Sequence, residues 1–371
     1  MQFKFKLVSN LLILLFIASN LSSQKKSPTS VEIKKTSEVI NPTEQSLSYM
    51  LPKTTIVVEI ESEKTIKKTG PYYRYSQRYL NLSDVITEDC EEWAIKNIKI
   101  TTKGTPNENQ RYSIFSTGIT SALMINLTPK GIIKGINLNE KAKLHRQINK
   151  TDNLDMIELE DVNFDHISLH EDLLYKTSTA AMAQEAANMI YKLRNNRIDL
   201  LSGDLENLPP DGEAYKTVLE EINKMEKDFI SLFAGKTISL TKKQTFEITP
   251  DPLSSYSNHV ICRFSTQKGI VDAMDITGTP IYFKLDAEEF NKLENKQLDT
   301  KKDESKNGLF YCIPASAKIT IVDKTKEVTN KVVDIAQYGQ VVSMPSDILN
   351  QEGIQIRICP VTGALISIGN K

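Results

Sequence analysis

The chain has 371 residues, 40% of them hydrophobic and 25% charged, with a formal net charge of −1. That apolar fraction is enough for an ordinary buried core, and the length suits two or three domains or one elaborate one. The near-balance of charge supplies no field to draw the chain onto nucleic acid or an anionic membrane surface, so neither is expected as a partner.

The first residues follow the order of a secretory signal. Lys4 and Lys6 precede an apolar stretch, Leu7 to Leu21, and Ser22-Ser23-Gln24 then offers small residues for cleavage. The uninterrupted apolar core, Leu11 to Ser19, falls short of the roughly 20 residues that a spanning helix needs. Cleavage after Ser23 is expected, with a retained anchor as the alternative. The chain is therefore expected to be exported, periplasmic or outer-membrane-associated, with no transmembrane segment in the mature protein. No cysteine follows the apolar stretch to carry a lipid. Residues 24–48, rich in Lys, Ser, Thr and Pro without apolar period, read as a flexible leader. An oxidising compartment would permit disulfides among Cys90, Cys262, Cys312 and Cys359, in any of three pairings; the alternative is thiols buried as small hydrophobes.

Order is expected from Tyr49. Ile56, Val58 and Ile60 alternate with polar neighbours, the period of a half-buried strand. Gly70-Pro71 breaks it and opens a short helix on which Tyr72, Tyr75 and Tyr79 share a face. A strand through Trp93, Ile95, Ile98 and Ile100 slips in alternation at Asn97, as at a bulge. Leu123 to Ile133 reads as a hairpin around Thr128-Pro129-Lys130-Gly131. Residues 139–172 read as a linker or long loop. Two helices follow. Met182, Ala186, Met189, Leu193 and Leu200 mark the first, with Gly203 to end it. Tyr215, Val218, Leu219, Ile222, Met225, Phe229 and Phe233 mark the second, with Asp211 as N-cap and Gly235 as stop. Beyond Gly235 the pattern is β again, interrupted by the charged segment 286–307 and closed by a hairpin around Pro360-Val361-Thr362-Gly363. The expected fold class is α+β: β-rich regions at 49–172 and 236–371, separated by a long antiparallel αα-hairpin at 173–235.

The runs L-P-K-T-T-I-V-V-E-I-E, G-P-Y-Y-R-Y-S-Q-R-Y-L-N-L-S-D-V-I and A-M-A-Q-E-A-A-N-M-I-Y-K-L-R, the L-F-A-G-K that ends the helices, and the tail C-P-V-T-G-A-L together resemble a family of exported Bacteroidetes proteins, domain-of-unknown-function family 4831. The resemblance covers roughly residues 49 to 371. It implies lineage and compartment and brings no site residues with it.

Candidate chemistry is sparse. His166 and His170 stand four apart, a spacing that grips a metal on a helix only if a third ligand arrives, such as His145 or His259; otherwise they serve surface or packing. Ser239 to Lys242 matches S-x-x-K and Lys68-Thr69-Gly70 matches K-T-G, but the serine sits in alternating, strand-like sequence and no S-D-N occurs. No phosphate-cradling glycine loop, nucleophile elbow or cofactor motif is present, so no catalytic residue and no cofactor is expected. Tyr72, Arg74, Tyr75, Arg78 and Tyr79, with Tyr73, form the most suggestive patch. Rings interleaved with guanidinium groups grip glycans or protein partners, unless the rings pack inward and the arginines stay wet. The function expected is a non-enzymatic binding or structural component of the envelope, docking a protein partner through the helices. The alternatives are an exported hydrolase of glycan or peptide and a carbohydrate-binding protein.

Overall fold

A computed structural model describes residues 30–35, 46–117, 124–138, 163–165, 167, 176–204, 212–287, 308–349, 351 and 353–370. The first sheet holds β1 (Ser30–Lys35), β2 (Ser46–Lys68), β3 (Cys90–Thr117) and β6 (Lys236–Ile248), in the order β1-β3-β2-β6. The second holds β7 (His259–Ser265), β8 (Gly269–Val271), β9 (Thr279–Ala287), β10 (Gly308–Asp323) and β11 (Lys326–Pro345), in the order β11-β10-β9-β7-β8. The third holds β4 (Ile125–Leu127), β5 (Ile133–Ile136), β12 (Ile354–Ile358) and β13 (Leu365–Asn370), in the order β13-β12-β5-β4. The helices are α1 (Ser76–Leu80), α2 (Thr179–Ser202), α3 (Gly212–Ala234) and the single turn α4 (Ser346–Leu349).

The α+β expectation, two β-rich regions held apart by an αα-hairpin, is overturned. Among the described residues the protein is mostly β, 54% strand against 23% helix, in three antiparallel sheets. Two of those sheets are built across the helices rather than on either side of them. Immediately after α3 the chain returns as β6 and pairs with β2 from Lys68 back to Ile56. Likewise β12 pairs with β5. Local periodicity marks each strand but carries no record of its distant partner, which is why the sequence pattern divided the chain where the sheets join it. Ser30–Lys35, inside the stretch read as a flexible leader, is a strand paired with the end of β3, because Ile33 is fully buried there. His166 and His170, the signal segment and most of the charged segment 286–307 lie outside the described residues.

Two hydrophobic cores share the long strands. Ile56, Val58 and Ile60 of β2 face Ile281, Phe283, Ile319 and Ile321, making a sandwich of the first two sheets. Further along the same strands, Tyr49, Leu51, Tyr112 and Ile114 join Leu309 and Met344 against Ile133, Ile136, Ile354 and Ile356 of the third sheet. The ladders are broken at the crossover between the cores. Met50 opposes Arg111 but Pro52 opposes Pro106; Ile313 opposes Gln340 but Ala315 opposes Ile335. The bulge expected near Asn97 is present, since Glu61 opposes Asn97 and Ser62 opposes Ile95.

Helices α2 and α3 form a third cluster with α1. Ser178 caps α2, its hydroxyl accepting the Ala181 N–H, and Gly203 ends it in the left-handed conformation. Ala183, Ala186, Ala187 and Ile190 meet Phe229, Leu232 and Phe233. The apolar stripe expected along the whole of α3 is buried only in its C-terminal half. Val218 and Met225 remain exposed, while Glu226 is buried between Arg194 and Arg197 at 2.7 and 2.6 Å.

Candidate functional site

Strand β2 leaves its sheet at Lys68 and the chain returns as β3 at Cys90, so residues 69–89 form an excursion from the sheet edge. Its course is fixed by backbone contact with the end of α3. A side chain at Gly70 would overlap the Leu232 carbonyl, to which the Tyr72 N–H donates at 2.9 Å. The Ile86 N–H donates to the Ala234 oxygen at 2.9 Å. The excursion thus supplies donors that the last turn of a helix lacks. Asp89 closes the base, accepting from Lys68 Nζ at 2.7 Å and from the Thr69 N–H at 2.8 Å. These two donors hold its carboxyl at about 2, well below the ordinary range.

The predicted aromatic patch is divided by this arrangement. Tyr72 is buried, its ring 5.6 Å from that of Phe233. Tyr75 and Tyr79 are half-buried against the helical cluster, with ring centroids 6.1 Å apart. The Tyr191 hydroxyl donates to the Tyr79 carbonyl at 2.7 Å and locks the two helices together. Arg74 and Arg78 are exposed. Arg74 Nε donates to the Tyr73 hydroxyl at 3.0 Å, and the guanidinium of Arg78 lies 5.4 Å from the centre of the Tyr79 ring. The rings face in and the cations face out.

Beside the patch lies an open crevice of about 540 Å³, lined by Lys67, Asp84 to Glu88, Cys90, Ala234, Gly235 and Thr237. Asp84 and Glu88 are exposed at its wall. The thiol of Cys90 is pushed up from its ordinary value by partial burial and then by the neighbouring Glu92 carboxylate. A thiol shifted in this direction forms less of the reactive thiolate than an ordinary cysteine. The crevice can hold a cationic or hydrogen-bonding group. No sequence pattern pointed to it, because its walls come from a loop, a helix end and three strands.

The remaining candidates do not converge on it. Ser239 and Lys242 stand on β6 three residues apart, hence on opposite faces of the strand. His259 lies on β7 beside Tyr256, ring centroids 5.7 Å apart. Among the described residues no group of three or more His, Cys, Asp or Glu could hold a metal ion. Likewise, no described helix is long and apolar enough to cross a membrane. All four cysteines are free thiols. Burial pushes Cys262 up to about 12 and Cys312 up to about 11.

No curated protein and no solved structure matches the chain. A family model does, over residues 45–366, a span that takes in β2 to β12, the helices and the excursion. The chain belongs to the family described as Domain of unknown function (DUF4831).

Proposed function

We propose that the protein is an exported component of the cell envelope that binds or braces another envelope protein rather than transforming a substrate. One observation carries this reading: a pinned excursion presents charge of both signs outward beside an open crevice. Arg74, Arg78, Asp84 and Glu88 are all exposed on the excursion. Side chains arranged in this way on a rigid support meet a complementary surface at small entropic cost. The N-terminal order of positive, apolar and small residues supports export. A carbohydrate site at the same place would need free tyrosine faces, whereas Tyr72 is turned into the helical cluster.

The test is site-specific photo-crosslinking in envelope fractions from positions 74, 78 and 88, with position 253 in an exposed loop as control. One protein captured from all three positions and not from the control is expected. Turnover of envelope glycan or peptide by the purified chain, abolished by Glu88→Gln, would refute the reading.

A further inference from the structure

The third sheet has a core face that is unfinished at one edge. Ile354, Ile356 and Ile358 of β12 are buried. Ile368 of β13 is paired with Ile356, so it projects from the same face, as does Ile366 two residues before it. Yet Ile368 is 45% exposed and Ile366 57%. Among the described residues β13 has a strand partner on one side only, β12.

Edge strands are normally protected from pairing with another chain by charge, proline or brevity. The other edges here obey that rule. Strand β6 carries Lys236, Lys242, Lys243 and Glu247; β11 carries Lys326, Glu327, Lys331 and Asp334; β1 carries Glu32, Lys34 and Lys35; β4 and β8 are three residues long. Strand β13, Leu365-Ile366-Ser367-Ile368-Gly369-Asn370, has no charged residue and no proline.

Its sequence is also complementary to itself. Laid antiparallel about a twofold axis at Ser367, it sets Ile366 opposite Ile368 of the partner subunit and Ile368 opposite Ile366 of the partner subunit. All four isoleucines then fall on the core face and Ser367 meets its own copy on the outer face; Leu365 lies beyond a bulge, where it pairs with Ile358 and packs on the core. No like charges are brought together, and directly opposed residues share a face. We propose that β13 pairs antiparallel with β13 of a second copy of this chain about an axis through Ser367, joining two four-stranded sheets into one. The contact is an isologous one and small, so the dimer is concentration-dependent.

Sedimentation equilibrium of the purified chain, from low to high micromolar, is expected to show a monomer–dimer equilibrium that Ile368→Lys shifts at least tenfold toward monomer. The folded state of that variant is checked by its thermal transition. A second variant does not depend on it. Ser367→Cys places two thiols on the axis at the spacing of opposed strand residues, which suits a disulfide. Mild oxidation should yield a covalent dimer absent from the parent chain, whose four cysteines serve as the control. A monomer at every concentration with no covalent dimer overturns the proposal. So does a dimer that Ile368→Lys leaves intact, or protection of β13 seen only when other envelope proteins are added.

Discussion

Replacing Gln337 by Ala should cost about 2–4 kcal/mol, because its side chain serves as a missing strand. Strand β6 pairs with β2 only from Ile56 onward, so the edge of Thr54 that faces away from β3 has no ladder partner there. Gln337, in the broken stretch of β11, fills the gap. Its Oε1 accepts the Thr54 N–H at 2.9 Å, and its Nε2 donates to the Thr54 carbonyl at 2.9 Å and to the Pro250 carbonyl at 3.0 Å. The Thr54 hydroxyl completes the junction, accepting from the Ala336 N–H and donating to the Val361 carbonyl, both at 3.0 Å. Thr54 is fully buried. An alanine at 337 would strand three backbone groups, each worth about 1–3 kcal/mol when wholly dry, reduced here because Gln337 itself is only half-buried. The assay is urea unfolding, read as a lowered midpoint at unchanged slope. Gln337→Glu should be worse than Ala, since it sets an oxygen against two carbonyls. A Gln337→Ala chain within about 0.5 kcal/mol of the parent would refute the assignment, being the size of an ordinary surface change.

Glu226→Ala should destabilise by about 1–3 kcal/mol, the lower part of the range for a broken buried pair because Arg194 and Arg197 are a third exposed; thermal melts of the single and double variants measure it. Raised thiols make the fold weaker in alkali. The unfolded chain releases protons near 9 while folded Cys262 and Cys312 keep theirs to about 12 and 11, so stability present below 9 is lost as pH climbs through that window. In the native chain at pH 8, a thiol reagent should reach Cys90 and Cys359 and label all four cysteines only after unfolding. Asp89 acts in the other direction. Its lowered carboxyl contributes stability above the ordinary value of 3.8 that fades as pH falls toward 2, and Asp89→Asn should speed amide exchange at Thr69.

Much of the local structure is written in the chain. The alternation about Ile56, the turn at Thr128–Gly131, the cap at Ser178 and the stops at Gly203 and Gly235 each follow from residues within a few positions of one another, and local chemistry fixes them. The tyrosine patch was legible as a motif but not as a site. Spacing put Tyr72, Tyr75 and Tyr79 on one face, while the presence of Phe233 and Leu232 beneath that face turned it inward. The crevice left no mark at all, since Lys67, Asp84, Cys90 and Gly235 meet only when α3 ends beside the β2 edge.

The sequence by itself determined the turn at Thr128–Gly131, the helix stops at Gly203 and Gly235 and the alternation of β2, since those depend on period, capping and turn residues at short range, but it left β1 unread. Tertiary structure alone decided which strands pair, that β6 crosses back to β2 and β12 to β5, and hence that the protein is a mostly β body with its helices at the side. A strand's alternation specifies a face to bury but never the neighbour that will bury it; that choice is made by long-range packing and by ladder bonds between residues far apart in the chain.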